Sequence, residues 1–225
     1  LGQIFLQMEP AVFAKDLFFV YGSQDQFSLF SKLGAWAYRH LGLEGSQFAI
    51  LFAGHLSLLG AAALLLRPIA DPRIRVLGLV SLAVMPHYYG GNGVFSFAEN
   101  FVTARTVSEP LGVLALALLI HRRPLPAAVA ALLAALAHPL MALPVLVVGW
   151  AYLVMCDRRW AWTSLPLGLI VLGLAIGGVE PFSALTQRYD PEWLEVVVRS
   201  NAFVFPLQWP VTSWALALGS PLFLW

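Results

Sequence analysis

The chain has 225 residues, 60% of them hydrophobic, and a mean hydropathy of +0.78. Soluble domains are roughly 45–50% apolar, so this composition and the long uncharged runs indicate a polytopic membrane protein. A formal net charge of +1 gives no bulk attraction for nucleic acid, and the single cysteine excludes an internal disulfide framework.

A polar, aromatic-rich stretch over residues 8–30 precedes the apolar sequence and carries Asp16 and Asp25. We expect it to lie on one face of the membrane as an outer loop. A carboxylate at the membrane surface can act as a general base or bind a divalent cation, and Asp16 is the best candidate. The alternatives are a solvated loop acid or a partner of Lys15 for Asp16, and a turn or helix cap for Asp25.

The sequence of residues 26–41 predicts an amphipathic helix that lies in the membrane interface rather than crossing it. Lys32 and Arg39 lie off its apolar face, and Gly42 and Gly45 mark its end. The apolar face consists of Phe27, Phe30, Leu33, Trp36 and Ala37.

Apolar segments that predict membrane-spanning helices follow at 46–66, 76–89, 104–120, 125–155, 160–179 and 209–225. Arginine clusters come after the first, third and fourth of these segments. The positive-inside rule places all three clusters in the cytoplasm. The polar loops that then fall on the outer side are 8–45, 87–104 and 180–208.

The run 125–155 has 31 apolar residues, with His138-Pro139 near the middle. One straight helix of this length would be about 46 Å long and would end on the wrong side of the membrane for its arginines. Proline also disfavours helix in the residue before it. The run therefore predicts two short helices that turn at His138, which we interpret more readily as a packing residue than as a ligand.

Arg105 begins the crossing 104–120, four residues before Glu109, and Glu99 lies in the preceding loop. An i,i+4 ion pair with Glu109 is the simple interpretation. Ionisable groups at membrane depth usually face a cavity, however, and a guanidinium matches the geometry of phosphate. Glu99 can pair with Arg105, which we favour, or hold a sugar hydroxyl. The outer loops also carry Lys15, Arg188 and Arg199, which compete for these acids. We therefore expect that the two acids are not both committed to Arg105.

The order of an outer loop with Ala14-Lys15-Asp16-Leu17-Phe18-Phe19, an interfacial helix and many short crossings resembles the C-type glycosyltransferase superfamily, the GT-C fold. Residues 101–105 and 137–139 also resemble segments of related bacterial polytopic proteins. The resemblance implies transfer of a sugar from a polyprenyl-phosphate-linked donor to an acceptor, at the extracytoplasmic face of the bacterial inner membrane. An acid in the first outer loop serves catalysis in this family, and only Asp16 matches that position.

We therefore expect an all-α fold, a polytopic transmembrane helix bundle with outer-face loops and an interfacial amphipathic helix. It forms one domain over 1–225, with residues 1–45 as outer loop and interfacial helix and 46–225 as the bundle. The chain begins without Met and stops inside an apolar run, as a fragment of a longer protein would.

The proposed site has Asp16 as the catalytic residue and Arg105, Asp25, Glu99 and His138 as substrate-binding residues. The expected partners are a lipid-linked sugar donor and membrane lipids, without nucleic acid. The spacings of a dedicated metal cage are missing from the sequence, so a divalent cation at Asp16 is the one cofactor left open. The alternative function is a transporter or lipid-binding membrane protein, which would use the break at His138 as a discontinuous helix near its binding site.

Overall fold

A computed structural model of the chain describes residues 2–13, 15–19, 27–84, 88–89 and 91–215. This part of the chain is predominantly helical, so the all-α prediction is confirmed. An antiparallel pair of two-residue strands, β1 (Tyr88–Tyr89) and β2 (Phe95–Ser96), is the small exception among the described residues. The α-helices are α1 (Gly2–Met8), α2 (Pro10–Phe13), α3 (Phe30–Leu66), α4 (Pro72–Val84), α5 (Arg105–Ile120), α6 (Pro124–Ala137), α7 (Pro139–Cys156), α8 (Ser164–Ile176) and α9 (Pro191–Ser200).

Among the residues that the structure describes, three helical stretches are long and apolar enough to cross a membrane: Phe30–Leu66, Pro139–Cys156 and Arg158–Ile176. At most 17% of the most apolar part of each is buried inside the protein. Helices that are apolar all round and yet exposed require an apolar solvent, because water would penalise that surface. The chain is therefore a membrane protein.

Contacts group the chain into two compact units. The first contains Leu1–His87 and Phe97–Gly149, and the second contains Tyr88–Ser96 and Trp150–Trp225. The first unit holds most of the helix packing, between α3 and α5 and between α5 and α6. In the second unit, the 3-10 helix Phe182–Thr186 packs on α8.

Helix α3 changes direction at Gly42, as predicted. Gly42 has φ 69° and ψ 179°, a conformation that only glycine adopts without strain. The helix before this kink begins at Phe30. The predicted apolar face is divided, because Phe30 and Ala37 are buried while Leu33 and Trp36 are exposed.

The second half of α3 packs closely against α5, and the two run in the same direction. Near the start of α5, a Cβ atom added to Gly54 would lie 2.6 Å from Cγ2 and 2.7 Å from the carbonyl oxygen of Thr106. That carbonyl has lost its helical donor, since residue 110 is a proline and has no N–H. At the far end of both helices, Nε2 of His121 lies 3.0 Å from the carbonyl oxygen of Leu64.

Helices α6 and α7 confirm the predicted break of the run 125–155. Ser108 Oγ donates a 2.9 Å hydrogen bond to the carbonyl oxygen of Ala134, so α6 returns antiparallel to α5. Helix α7 reverses again and runs parallel to α5. Its Val145 lies against Gly112, and its Gly149 lies against the C-terminal half of α5.

The carbonyl groups exposed by this break bond to the segment that leads into α3. A helix leaves its last carbonyls without intrahelical donors, and Pro139 supplies no N–H. The backbone N–H of Leu29 donates to Leu136 at 2.8 Å, and Ser28 Oγ donates to Ala137 at 2.6 Å. The sequence gives no sign of these bonds, since Ser28 and its acceptor are 109 residues apart.

The directions of these helices place two groups of polar residues at opposite ends of the first unit. The parallel course of α3 and α5 puts Arg67 and Arg122, which follow them, at one end. Arg105 begins α5 and His138 follows the antiparallel α6, so both lie at the opposite end. This arrangement agrees with the placement predicted from the arginines.

Two predicted segments need correction. Helix α4 begins at Pro72 rather than 76 and ends at Val84, while 88–89 form a strand. The predicted polar loop 180–208 contains the helix α9. Its start has a clear cause, because Asp190 accepts a hydrogen bond from the N–H of Glu192 and a proline occupies the first helical position. Of the predicted crossing 209–225, residues 211–215 are helical and 216–225 lie outside the described part.

We predict that Gly54→Ala destabilises the protein by about 1–3 kcal/mol, because the added methyl group overpacks the contact with α5. Gly60→Ala in the same helix is the control, since a Cβ atom there meets nothing within 4 Å. It should be neutral or slightly stabilising, because alanine favours helix. Thermal unfolding of both variants in one detergent gives the comparison. Equal melting temperatures would contradict the close α3–α5 packing.

Candidate functional site

A buried polar cluster lies at the end of the first unit where α5 begins. Oε1 of Glu99 accepts a hydrogen bond and an ion pair from Nη2 of Arg105. Oε2 of the same carboxylate accepts a 2.7 Å hydrogen bond from Oγ1 of Thr103. The Arg105 and Glu99 side chains are only 18% and 6% exposed. Both carboxylate oxygens are therefore held, and the guanidinium is fixed in turn.

The local fold explains why these residues meet. Val102 is buried in the apolar core, which anchors the loop against α1 and α3. The N–H of Thr103 donates to Oγ1 of Thr106 at 3.2 Å and fixes the approach to α5. Arg105 is the first residue of that helix, where the helix dipole disfavours a positive charge. The Glu99 carboxylate beside it offsets this unfavourable placement.

His138 joins the cluster from the break between α6 and α7, outside both helices. Its backbone is extended, with φ −156° and ψ 99°, and its Nδ1 accepts a weak 3.4 Å hydrogen bond from the N–H of Met141 in α7. An accepting Nδ1 places the proton of the neutral ring on Nε2. Burial lowers the pKa of His138, and the nearby Arg105 lowers it further, while the ring's own backbone and Glu99 oppose the shift. The ring is therefore neutral near pH 7.

Two of the five predicted site residues, Glu99 and Arg105, are in direct contact, and His138 lies at the same end of the first unit. Asp25 lies outside the described residues. Asp16 makes only local hydrogen bonds within the described chain, and none of them reaches the cluster.

Asp16 serves as a cap for the turn that follows it. Its Oδ1 accepts from the N–H of Phe18 at 2.9 Å and from that of Phe19 at 3.4 Å, and its side chain is exposed. Three other aspartates accept from the N–H two residues further on in the same way: Asp71, Asp157 and Asp190. Its geometry alone therefore does not distinguish Asp16 from a structural cap.

The favoured pairing of Arg105 with Glu99 is confirmed. The loop folds back on the helix start and brings the two side chains together. One expected competitor, Arg199, instead bonds Glu195 within its own helix at 3.3 Å. Glu109 is also buried, one helical turn further along α5 than Arg105.

Thr103 is a residue of the cluster that was not predicted from the sequence. Its hydroxyl gives Glu99 a second hydrogen bond and so limits the positions that the carboxylate can take. Its position in the sequence was an indication, since Thr103 lies between Glu99 and Arg105 in a short loop. A hydroxyl close to an acid in sequence does not by itself indicate a contact, because a loop can direct it elsewhere.

An apolar groove of about 540 Å³ runs between both halves of α3 and helix α5. On α5 it is lined by Val107, Leu111 and Leu114, among others. At about 100° per residue these side chains lie opposite Arg105 and Glu109 on the helix. The groove and the polar cluster therefore occupy opposite faces of α5.

Within the described part of the chain, three or more His, Cys, Asp or Glu side chains are nowhere grouped so that they could hold a metal ion. The chain matches no known protein-family model, no curated protein and no solved structure.

We predict that Glu99→Gln lowers the free energy of unfolding by about 3 kcal/mol, because it leaves a buried guanidinium without its counter-charge. Glu195→Gln is the matched control, since it breaks a second Arg–Glu pair whose side chains are 83% and 74% exposed. That change should cost less than about 1 kcal/mol. Chemical unfolding in detergent measures both. Similar losses in the two variants would contradict a buried structural ion pair at Glu99.

Proposed function

We propose that the protein is a membrane-embedded glycosyltransferase that moves a sugar from a polyprenyl-phosphate-linked donor to an acceptor at the extracytoplasmic face. The observation that best supports this is the buried contact of Glu99 with Thr103 and Arg105. His138 lies at the same end of the first unit, opposite the end that carries Arg67 and Arg122. A lipid phosphate at headgroup depth on that side of the membrane would be level with this end. The resemblance to the GT-C fold supplies the reaction type.

Each residue has a role in this proposal. A guanidinium carries five N–H donors in a fork that matches the geometry of phosphate, and in this proposal Arg105 binds the donor phosphate through that fork. These donors stabilise the negative charge that develops on the phosphate as its bond to the sugar breaks. Glu99 keeps the guanidinium in place, so little reorganisation is needed during reaction. The Nε2–H of neutral His138 can donate to a sugar or phosphate oxygen.

In the transfer step, a hydroxyl oxygen of the acceptor attacks the anomeric carbon of the sugar. The bond between that carbon and the phosphate oxygen breaks, and polyprenyl phosphate leaves with the bonding electrons. Asp16 takes the hydroxyl proton as general base. Asp25 is a further substrate-binding candidate in the same outer loop.

One observation favours a second function, cation- or proton-coupled transport. The charges of Glu99 and Arg105 cancel, His138 is neutral, and Glu109 adds an acid on the same face of α5 as Arg105. Buried acids beside a discontinuous helix are typical of transporters.

We predict that Arg105→Lys weakens the binding of a short-chain polyprenyl phosphate about tenfold, since lysine keeps the charge but loses the fork that binds two phosphate oxygens. Titration of the detergent-solubilised protein with the fluorescently labelled lipid measures this. Arg199→Lys is the control and should leave affinity unchanged. Glu109→Gln distinguishes the two proposed functions. If the protein is a transferase, this variant should bind the lipid normally. If it is a transporter, the variant should lose proton or sodium flux into liposomes. Unchanged affinity in Arg105→Lys would reject the phosphate site.

We predict that Asp16→Asn slows sugar transfer at least 100-fold, the typical contribution of a general base. Asparagine caps a turn as well as aspartate, so the melting temperature should not change. Asp71→Asn, which alters an aspartate with the same capping geometry, should transfer sugar at the normal rate. Transfer is followed from radiolabelled polyprenyl-phosphate sugar in proteoliposomes. A normal rate in a folded Asp16→Asn variant would remove Asp16 from the mechanism.

A further inference from the structure

Helix α9, in the second unit, has one charged face and one apolar face. At 100° per residue, Glu192, Glu195 and Arg199 fall within a narrow arc on one side. The remaining arc carries Trp193, Leu194, Val196, Val197 and Val198. This is the distribution of a helix that lies at a boundary between polar and apolar surroundings.

The protein covers only part of this apolar face. Val197 and Val198 are partly buried, whereas Trp193 is 64% and Val196 54% exposed. On the opposite side, the Glu195 and Arg199 side chains are 74% and 83% exposed. A tryptophan and a valine together on the outside of a ten-residue helix therefore face the surroundings of the protein.

The chain keeps α9 close to a membrane-crossing stretch. The 3-10 helix Phe182–Thr186 packs on α8, which belongs to the candidate span Arg158–Ile176. From Thr186 to Pro191 an extended chain reaches at most roughly 18 Å. The start of α9 is therefore held within that distance of a segment in contact with the span.

We propose that α9 lies in the bilayer surface, with Trp193 and Val196 among the lipid headgroups and upper acyl chains and with Glu195 and Arg199 in water. Tryptophan is enriched at this depth, where its ring is surrounded by both apolar and polar groups. The charges of α9, two acids and one arginine, give no attraction to anionic lipid. The apolar face therefore drives insertion, which distinguishes α9 from basic helices that recognise acidic headgroups.

Site-directed spin labelling tests this placement. The single cysteine, Cys156, is changed to Ser, and a nitroxide is attached to cysteine at 193, 196, 195 or 199, one position at a time. The full chain is reconstituted in phosphatidylcholine vesicles, and collision with oxygen, which concentrates in lipid, is compared with collision with a water-soluble nickel complex. A label at Leu165, an exposed residue of α8, gives the bilayer reference.

The expected result is a several-fold higher oxygen-to-nickel ratio at positions 193 and 196 than at 195 and 199. The same pattern should persist when phosphatidylglycerol replaces a third of the lipid. Preference for nickel at all four positions would show that α9 lies in water and would overturn the proposal. Shielding of 193 and 196 from both reagents would overturn it as well, because a protein surface would then cover the helix. None of these outcomes depends on glycosyl transfer.

Discussion

The break between α6 and α7 is the constraint on which the first unit depends. Backbone carbonyls without donors are costly inside a membrane, since no water reaches them. The break exposes carbonyls at Leu136 and Ala137, and the chain at Ser28 and Leu29 satisfies them. That pairing fixes the start of α3 to the end of α6. The same turn holds His138 at the end of the first unit where α5 begins. The backbone carbonyls exposed by the break and the polar cluster therefore lie at the same end of the unit.

Helix α5 has one face with charged residues and an opposite face that is apolar. One face carries Arg105, Glu109 and Gly112, and Gly112 packs on α7. The other face lines the apolar groove against α3. A lipid chain in that groove would be separated from Arg105 by the helix itself. In the proposed reaction, a donor lipid bound at Arg105 would lie on the face of α5 opposite the groove, the face that also carries the buried Glu109.

Backbone chemistry made part of this structure predictable. Gly42 and His138-Pro139 interrupt helices for local reasons, and both breaks occur where the sequence places them. Contacts between distant segments were not predictable, because apolar periodicity does not specify which side meets protein and which meets lipid. This is why Leu33 and Trp36 are exposed while Phe30 is buried. Helix α9 was missed for a different reason, since its charges resemble those of a loop until their spacing around a helix is considered.

The glycine contacts along α3, α5 and α7 have a consequence for how heat and cold affect the bundle. Neighbouring helices approach within van der Waals distance at Gly54, Gly112 and Gly149. In lipid these contacts replace contacts with acyl chains, so their separation exposes no apolar surface to water. The large heat-capacity change that curves the stability of soluble proteins arises from that exposure. Helix separation in the bilayer should therefore have a nearly constant enthalpy, and cooling should not loosen the bundle.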